Sequence, residues 1–163
     1  MVKAAPSELA PFVKAASETA QESELLVVPG WKEADWETFF SYAQRVHVPR
    51  GSVLIRKRAS ERALYFLVSG MLEVTAVLSS HGLGGIAKIH PGSVVGELAF
   101  LDGLPRSAKV WAVTDSELYR LDFADYERFA AAHPRRTCDL LFAIGRVVAV
   151  RLRHSRMRPS PSM

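Results

Sequence analysis

Hydrophobic positions change their period twice along the chain. From residue 7 to 24 an Ala- and Glu-rich stretch, opened by Pro6 and Ser7, predicts a short helix that Pro29-Gly30 separates from the rest of the chain. Trp36, Phe39, Phe40 and Ala43 then recur at helical spacing and predict a second helix over about 33–44 with a packing face. The period drops to two at Val46 and Val48, which Pro49-Arg50-Gly51 separates from Val53 and Ile55 as strand, turn, strand. Further short strands are expected at Leu64–Val68, Leu72–Val77, Ile86–Ile89, Ser107–Val113 and Leu118–Leu121, with a Gly/Ser loop holding His81 over Ser79–Gly85. Seven or eight strands at roughly ten-residue spacing, punctuated by Gly or Pro, predict a β-barrel or jelly roll. The helical period returns at Phe123. One helix is expected from Asp125 to Ala132, ending at His133-Pro134, and a last one from Thr137 to Ser155. Leu140, Leu141, Ile144, Val147, Val148 and Leu152 keep helical spacing within it.

Composition narrows the class. The 163 residues are 48% apolar and 23% charged, which suits one globular domain able to bury its own core. Cys138 is alone, so a disulfide framework or cysteine zinc cluster is excluded and a structural thiol is expected. Met1–Ala20 mixes charges with prolines, no window resembles a membrane span, and the expected location is cytoplasmic. The five histidines (His47, His81, His90, His133 and His154) include no pair one residue apart, so no metal site is expected. No nucleophile elbow or Walker loop is present, and no enzyme activity is expected. The net charge of +4 is uneven, with seven arginines against one acid, Asp139, from Arg135 onward. That end is expected to be a solvated helix face and tail.

One segment combines groups that suit an anion bound to a polyol. It runs Val95-Gly96-Glu97-Leu98-Ala99-Phe100-Leu101-Asp102-Gly103-Leu104-Pro105-Arg106-Ser107-Ala108. Gly96 lets the backbone approach a ligand, and Glu97–Leu101 has the length of one helical turn whose first N–H groups face an anion. Arg106 supplies a permanent forked cation, Ser107 and Ala108 keep the chain beside it narrow, and Glu97 offers a carboxylate for hydroxyl groups. The alternative is a surface turn with an incidental Glu–Arg ion pair.

Gly96 to Leu101 followed by Pro105 to Ala108 resembles the phosphate-binding cassette of cyclic nucleotide-binding domains, the regulatory domains of catabolite activator proteins, cyclic-nucleotide-dependent kinases and nucleotide-gated channels. The likeness covers about residues 25–155 and includes Gly51, Gly70, Tyr65-Phe66 and Gly92. It implies an eight-stranded jelly roll with N-terminal helices and a C-terminal lid helix. It implies that Glu97 binds the ribose 2′-hydroxyl and that Arg106 pairs with the cyclic phosphate, aided by Ser107 and the main chain at Leu98 and Ala99. Ile144, Val147, Val148 and Arg151 are the lid contacts expected by period. The family often has Gly-Asp or Gly-Glu where Arg58-Ala59 stands, in the basic turn Arg56–Arg62, and an aromatic at Val95. Ser107, in place of a Thr that often accompanies cyclic GMP selectivity, leans toward cyclic AMP. The expected organisation is a helical extension over 1–30, the nucleotide-binding domain over 31–158 and a frayed tail over 159–163. The expected role is a cyclic nucleotide sensor without a cofactor, acting on an unidentified protein effector. Only Arg156–Met163 remain after the last expected helix, so no helix-turn-helix and no sequence-specific DNA binding are expected. The alternative function is a ligand-free jelly roll that docks an acidic partner through its basic last helix.

Overall fold

The computed structural model describes residues 6–15, 24–76 and 86–157. The expected tail over 159–163, the loop at Ser79–Gly85 and the second half of the first expected helix lie outside these residues. Among the described residues, helices α1 (Pro6–Ala15) and α2 (Glu33–Phe40) precede eight strands: β1 (Gln44–Val48), β2 (Val53–Ile55), β3 (Ala63–Ser69), β4 (Leu72–Ala76), β5 (Ile86–Ile89), β6 (Val94–Val95), β7 (Ala108–Ala112) and β8 (Ser116–Asp122). Helix α3 (Glu97–Asp102) interrupts the strands between β6 and β7, and α4 (Phe123–Ala132) and α5 (Pro134–Met157) come after β8.

The strands form two antiparallel four-stranded sheets, ordered β1-β8-β3-β6 and β2-β7-β4-β5. This is the expected mainly-β jelly roll with flanking helices. Strand β6 has only two residues, too few to show alternation in sequence; Tyr65↔Val95 and Phe66↔Val94 pairing with β3 defines it. Helix α4 starts two residues earlier than expected, at Phe123, and two other boundaries differ for a visible reason. Helix α2 stops at Phe40, and its Ser41–Ala43 sequel is a turn, because β1 must start at Gln44 to pair with Arg120 on β8. Helix α5 starts at Pro134 rather than Thr137, since proline is tolerated in a first helical turn, where its missing N–H has no intrahelical role.

Two apolar clusters result. One lies between the sheets and includes Ile55, Leu67, Leu72, Val95, Val110 and Leu118. The other joins α1, α2, α4 and α5 to the outer side of β3, with Phe12, Trp36, Phe39, Phe40, Phe66 and Phe129 in mutual ring contact. Ile144 and Val147, both 0% exposed, belong to this second cluster. Asp35 ties α2 to α5 through Arg136 (2.6 Å), and its carboxyl is held below the ordinary range first by the Lys32 backbone N–H and then by that guanidinium. Cys138 is a free, exposed thiol on α5. No described helix is long and apolar enough to cross a membrane.

The turn between β2 and β3 departs from ordinary backbone geometry. Arg58 has φ +66°, the only described non-glycine residue with positive φ. Its side chain is exposed and makes no ion pair with a described residue. Holding a side chain in the left-handed region costs about 1 kcal/mol. Arg58→Gly is therefore expected to raise the melting temperature by roughly 2–4 °C, read by calorimetry. A drop would show that the arginine makes a contact that compensates its backbone.

Candidate functional site

Strand β6 ends at Val95, and Gly96 caps the start of α3. Gly96 has φ +86°, and a Cβ there would lie 2.8 Å from Ala63 O and 2.5 Å from Arg106 Nη1. Glycine is thus required twice, by conformation and by space. Phe100 N–H makes the return bond to Gly96 O (3.2 Å), so the N–H groups of Leu98 and Ala99 precede the helix ladder.

Arg106 reaches this turn from the loop before β7. It is only 3% exposed, and its fork donates from Nη1 to Gly96 O (3.0 Å) and from Nη2 to Ala63 O (2.8 Å). Its Nε–H is buried without a hydrogen-bond partner among the described residues. Burial pulls the guanidinium below its ordinary pKa, opposed by the charges of Glu61, Tyr65 and Glu97. Glu61 also accepts from Tyr65 Oη (2.7 Å) and Arg120 (2.9 Å), and burial followed by that hydrogen bond pushes the Tyr65 phenol up. A buried cation with an unused donor beside a helix start is an arrangement that an anion completes.

These groups open on a cavity of about 500 Å³, within the roughly 300–1,000 Å³ of small-molecule sites. Gly96, Glu97, Leu98, Ala99, Arg106, Ser107 and Ala108, the seven cassette residues expected from sequence, all line it. The opposite wall is apolar: Ile55, Val74, Ala87, Ile89, Val95 and Val110 from the barrel. Of the expected lid contacts, Val148 and Arg151 line the cavity. Ile144 and Val147 do not, because the rotation of α5 turns them into the aromatic cluster, one helical step away.

Of the C-terminal arginines, Arg135 and Arg153 are exposed, as expected of a solvated face, but Arg146 and Arg151 are turned inward. Arg146 donates to Leu25 O, and Arg151 is a three-way clamp. Arg151 donates to Val94 O (2.8 Å), pairs with Glu24 (3.2 Å) and pairs with Glu97 Oε1 (2.8 Å). His154 adds a contact to Glu24 at 3.1 Å. The sequence did not single out Glu24, Leu152 and His154 as cavity residues. Glu24 meets α5 across about 130 positions of chain, and no local pattern announces such a contact. Among the described residues no group of three or more His, Cys, Asp or Glu could hold a metal ion.

A family model described as the cyclic nucleotide-binding domain matches residues 45–133, which contain the barrel and the whole cassette. The chain belongs to the cyclic nucleotide-binding domain family. Within that family, the Cyclic AMP receptor protein of Thermus thermophilus is 37% identical over 90 residues, 53% of this chain and 40% of that protein. A cyclic nucleotide-gated potassium channel of Rhizobium etli is 32% identical over 87 residues, 53% of this chain and 23% of that protein. The chain spans less than half the length of either relative. A cyclic nucleotide-binding domain from Methylobacillus flagellatus, 18% identical, superposes with a TM-score of 0.77 over 99% of this chain and 90% of that one. At that identity the likeness concerns the fold, and it extends the match beyond residues 45–133 to the flanking helices. The chain is a cyclic nucleotide-binding regulatory domain with a preformed cavity.

Proposed function

We propose that the domain binds cyclic AMP in preference to cyclic GMP and reports occupancy through the end of α5. In this reading the cyclic phosphate takes the unused Arg106 Nε–H and the N–H groups of Leu98 and Ala99, and Ser107 adds a hydroxyl. Glu97 accepts from the ribose 2′-hydroxyl, and the base lies between the barrel wall and Val148. The lean toward cyclic AMP rests on Ser107 where a threonine often accompanies cyclic GMP selectivity, and the Cyclic AMP receptor protein among its relatives supports it. Residues 31–158 act as the binding unit.

The observation that carries the switch is the Arg151–Glu97 ion pair. The carboxylate assigned to the ribose is already held by the helix assigned to the lid. A ligand hydroxyl on Glu97 changes what Arg151 can hold, so occupancy and helix position share one group. A ligand shifts such an equilibrium only through differential contact with its two states, and this contact is differential. The responding part is shorter than the whole helix. Leu140, Ala143, Ile144 and Val147 are buried in the core and stay, whereas Val148, Arg151, Leu152 and His154 border the cavity.

Titration calorimetry with cyclic AMP and cyclic GMP, followed by amide exchange, tests the reading. Cyclic AMP is expected to bind more tightly and to change exchange over 96–108 and 148–157, with 134–147 unaltered. Arg151→Gln is expected to keep affinity within about tenfold while exchange over 148–157 no longer responds. A response confined to 96–108 in the parent protein would leave a binding site without this switch, and binding of neither nucleotide would end the reading.

A further inference from the structure

The basic turn between β2 and β3 is not used by the cavity. It reads Arg56-Lys57-Arg58-Ala59-Ser60, three consecutive cations and then a serine two residues after the last. All three cations are exposed and none pairs with a described carboxylate. Ser60 is exposed, lies outside helix and strand, and its hydroxyl bonds to no described residue. We propose that Ser60 is a phosphorylation site for a serine/threonine kinase that reads cations on the N-terminal side of its acceptor. Lys57 and Arg58, three and two residues before the hydroxyl, complement the acidic substrate groove of such an enzyme. The step transfers the γ-phosphoryl group of ATP. The Ser60 Oγ–P bond forms as the bond from that phosphorus to the bridging oxygen breaks, ADP leaves with the electron pair, and the hydroxyl proton passes to the kinase's base carboxylate.

The same turn is bonded to the anion clamp. Arg58 N–H donates to Arg106 O (2.8 Å), Arg106 N–H donates to Ala59 O (2.8 Å), and Ala59 N–H closes the turn on Arg56 O (3.2 Å). A kinase groove takes its substrate extended, so the turn must release Arg106 before Ser60 can react. A phosphate at Ser60 adds about −1.5 to −2 charge one residue from that contact and next to Glu61, whose charge Arg106 already feels. It therefore opposes a second anion on the clamp. This part rests on the nucleotide reading above: a nucleotide that holds Arg106 holds the turn bonded to it and slows phosphorylation, and a phosphate at Ser60 weakens nucleotide binding.

The test uses the intact chain with ATP and the isolated catalytic subunit of a cyclic-AMP-dependent protein kinase, which is itself indifferent to the nucleotide. One phosphate per chain is expected, mapped to Ser60 by mass spectrometry. It should be absent in Ser60→Ala and slowed at least tenfold in the Lys57→Ala/Arg58→Ala variant, both of which alter exposed side chains. Incorporation only at other serines, none in the folded chain, or a rate indifferent to Lys57 and Arg58 overturns the site. Saturating cyclic AMP is expected to slow the reaction at least fivefold, and the phosphorylated protein to bind cyclic AMP three- to tenfold more weakly. Equal rates with and without nucleotide, in a protein that calorimetry shows to bind it, overturn the coupling. Phosphorylation of Ser60 in a protein that binds no nucleotide marks failure of the nucleotide reading and leaves the acceptor site standing.

Discussion

Arg106→Ala is expected to weaken cyclic AMP binding by about 2–5 kcal/mol, the loss incurred when a buried anion is left without its charged partner. That is roughly 30-fold to several thousand-fold in the dissociation constant. The magnitude comes from burial: the guanidinium is 3% exposed, and its Nε–H has no acceptor among the described residues. Glu97→Ala is expected to cost less, because it removes hydrogen bonds to a neutral hydroxyl. Arg106 also holds the Gly96 and Ala63 carbonyls, and stranding buried acceptors costs about 1–3 kcal/mol each. Denaturant unfolding must therefore accompany the titration. Arg106→Lys separates the two roles, since it keeps the charge but cannot fork, and it is expected to fold and to bind with intermediate affinity. An alanine variant that remains folded and binds cyclic AMP like the parent would sink the assignment of the clamp.

Gly96→Ala should damage fold and site together. The added methyl would sit 2.8 Å from Ala63 O, a backbone atom that cannot swing aside, and 2.5 Å from Arg106 Nη1, which can. The cheapest relief moves Arg106 off the turn. A left-handed φ of +86° adds about 1 kcal/mol for any side chain. A total loss of roughly 2–4 kcal/mol in stability is expected from strain of this kind, with weaker nucleotide binding in the molecules that stay folded. The contrast is Gly51→Ala, which has φ +81° but nothing within 4 Å, and so carries only the conformational part. Equal losses for the two variants, measured by urea unfolding, would mean that the close approach at Gly96 is unimportant.

The parts of the site that were legible in sequence are those whose residues are neighbours in the chain. Glu97 and Arg106 lie nine positions apart on one continuous turn, so the chemistry of the pair survives without a structure. Strand β4 was visible through its alternation, β3 through an unbroken apolar run buried on both faces, and β1 and β2 through the turn between them. Strand β6 was not, because its two residues are defined by partners on β3. The lid contacts show the limit most clearly. Helical period groups Ile144, Val147, Val148 and Arg151 on adjoining faces, but only the seating of α5 against α3 and α4 decides which face meets the core. That seating buries Ile144 and Val147 and leaves Val148 and Arg151 at the cavity. Arg58-Ala59 was noticed as a departure from the related domains, yet its left-handed backbone and its bonds to Arg106 depend on the β2–β3 geometry.

Strand β3 is a party wall. Its side chains alternate between rooms: Leu64, Phe66 and Val68 face the aromatic cluster, while Ala63, Tyr65 and Leu67 face the barrel that holds the cavity. Neither room can come apart while the other stands, because each would expose one side of the same strand. Ligand occupancy is therefore registered by residues that never touch it. A nucleotide at 100 times its dissociation constant adds about 2.7 kcal/mol to the native state. Trp31 and Trp36, both in the helical cluster and outside the cavity lining, inherit that gain in full. Their fluorescence makes the far room a thermometer for events in the near one.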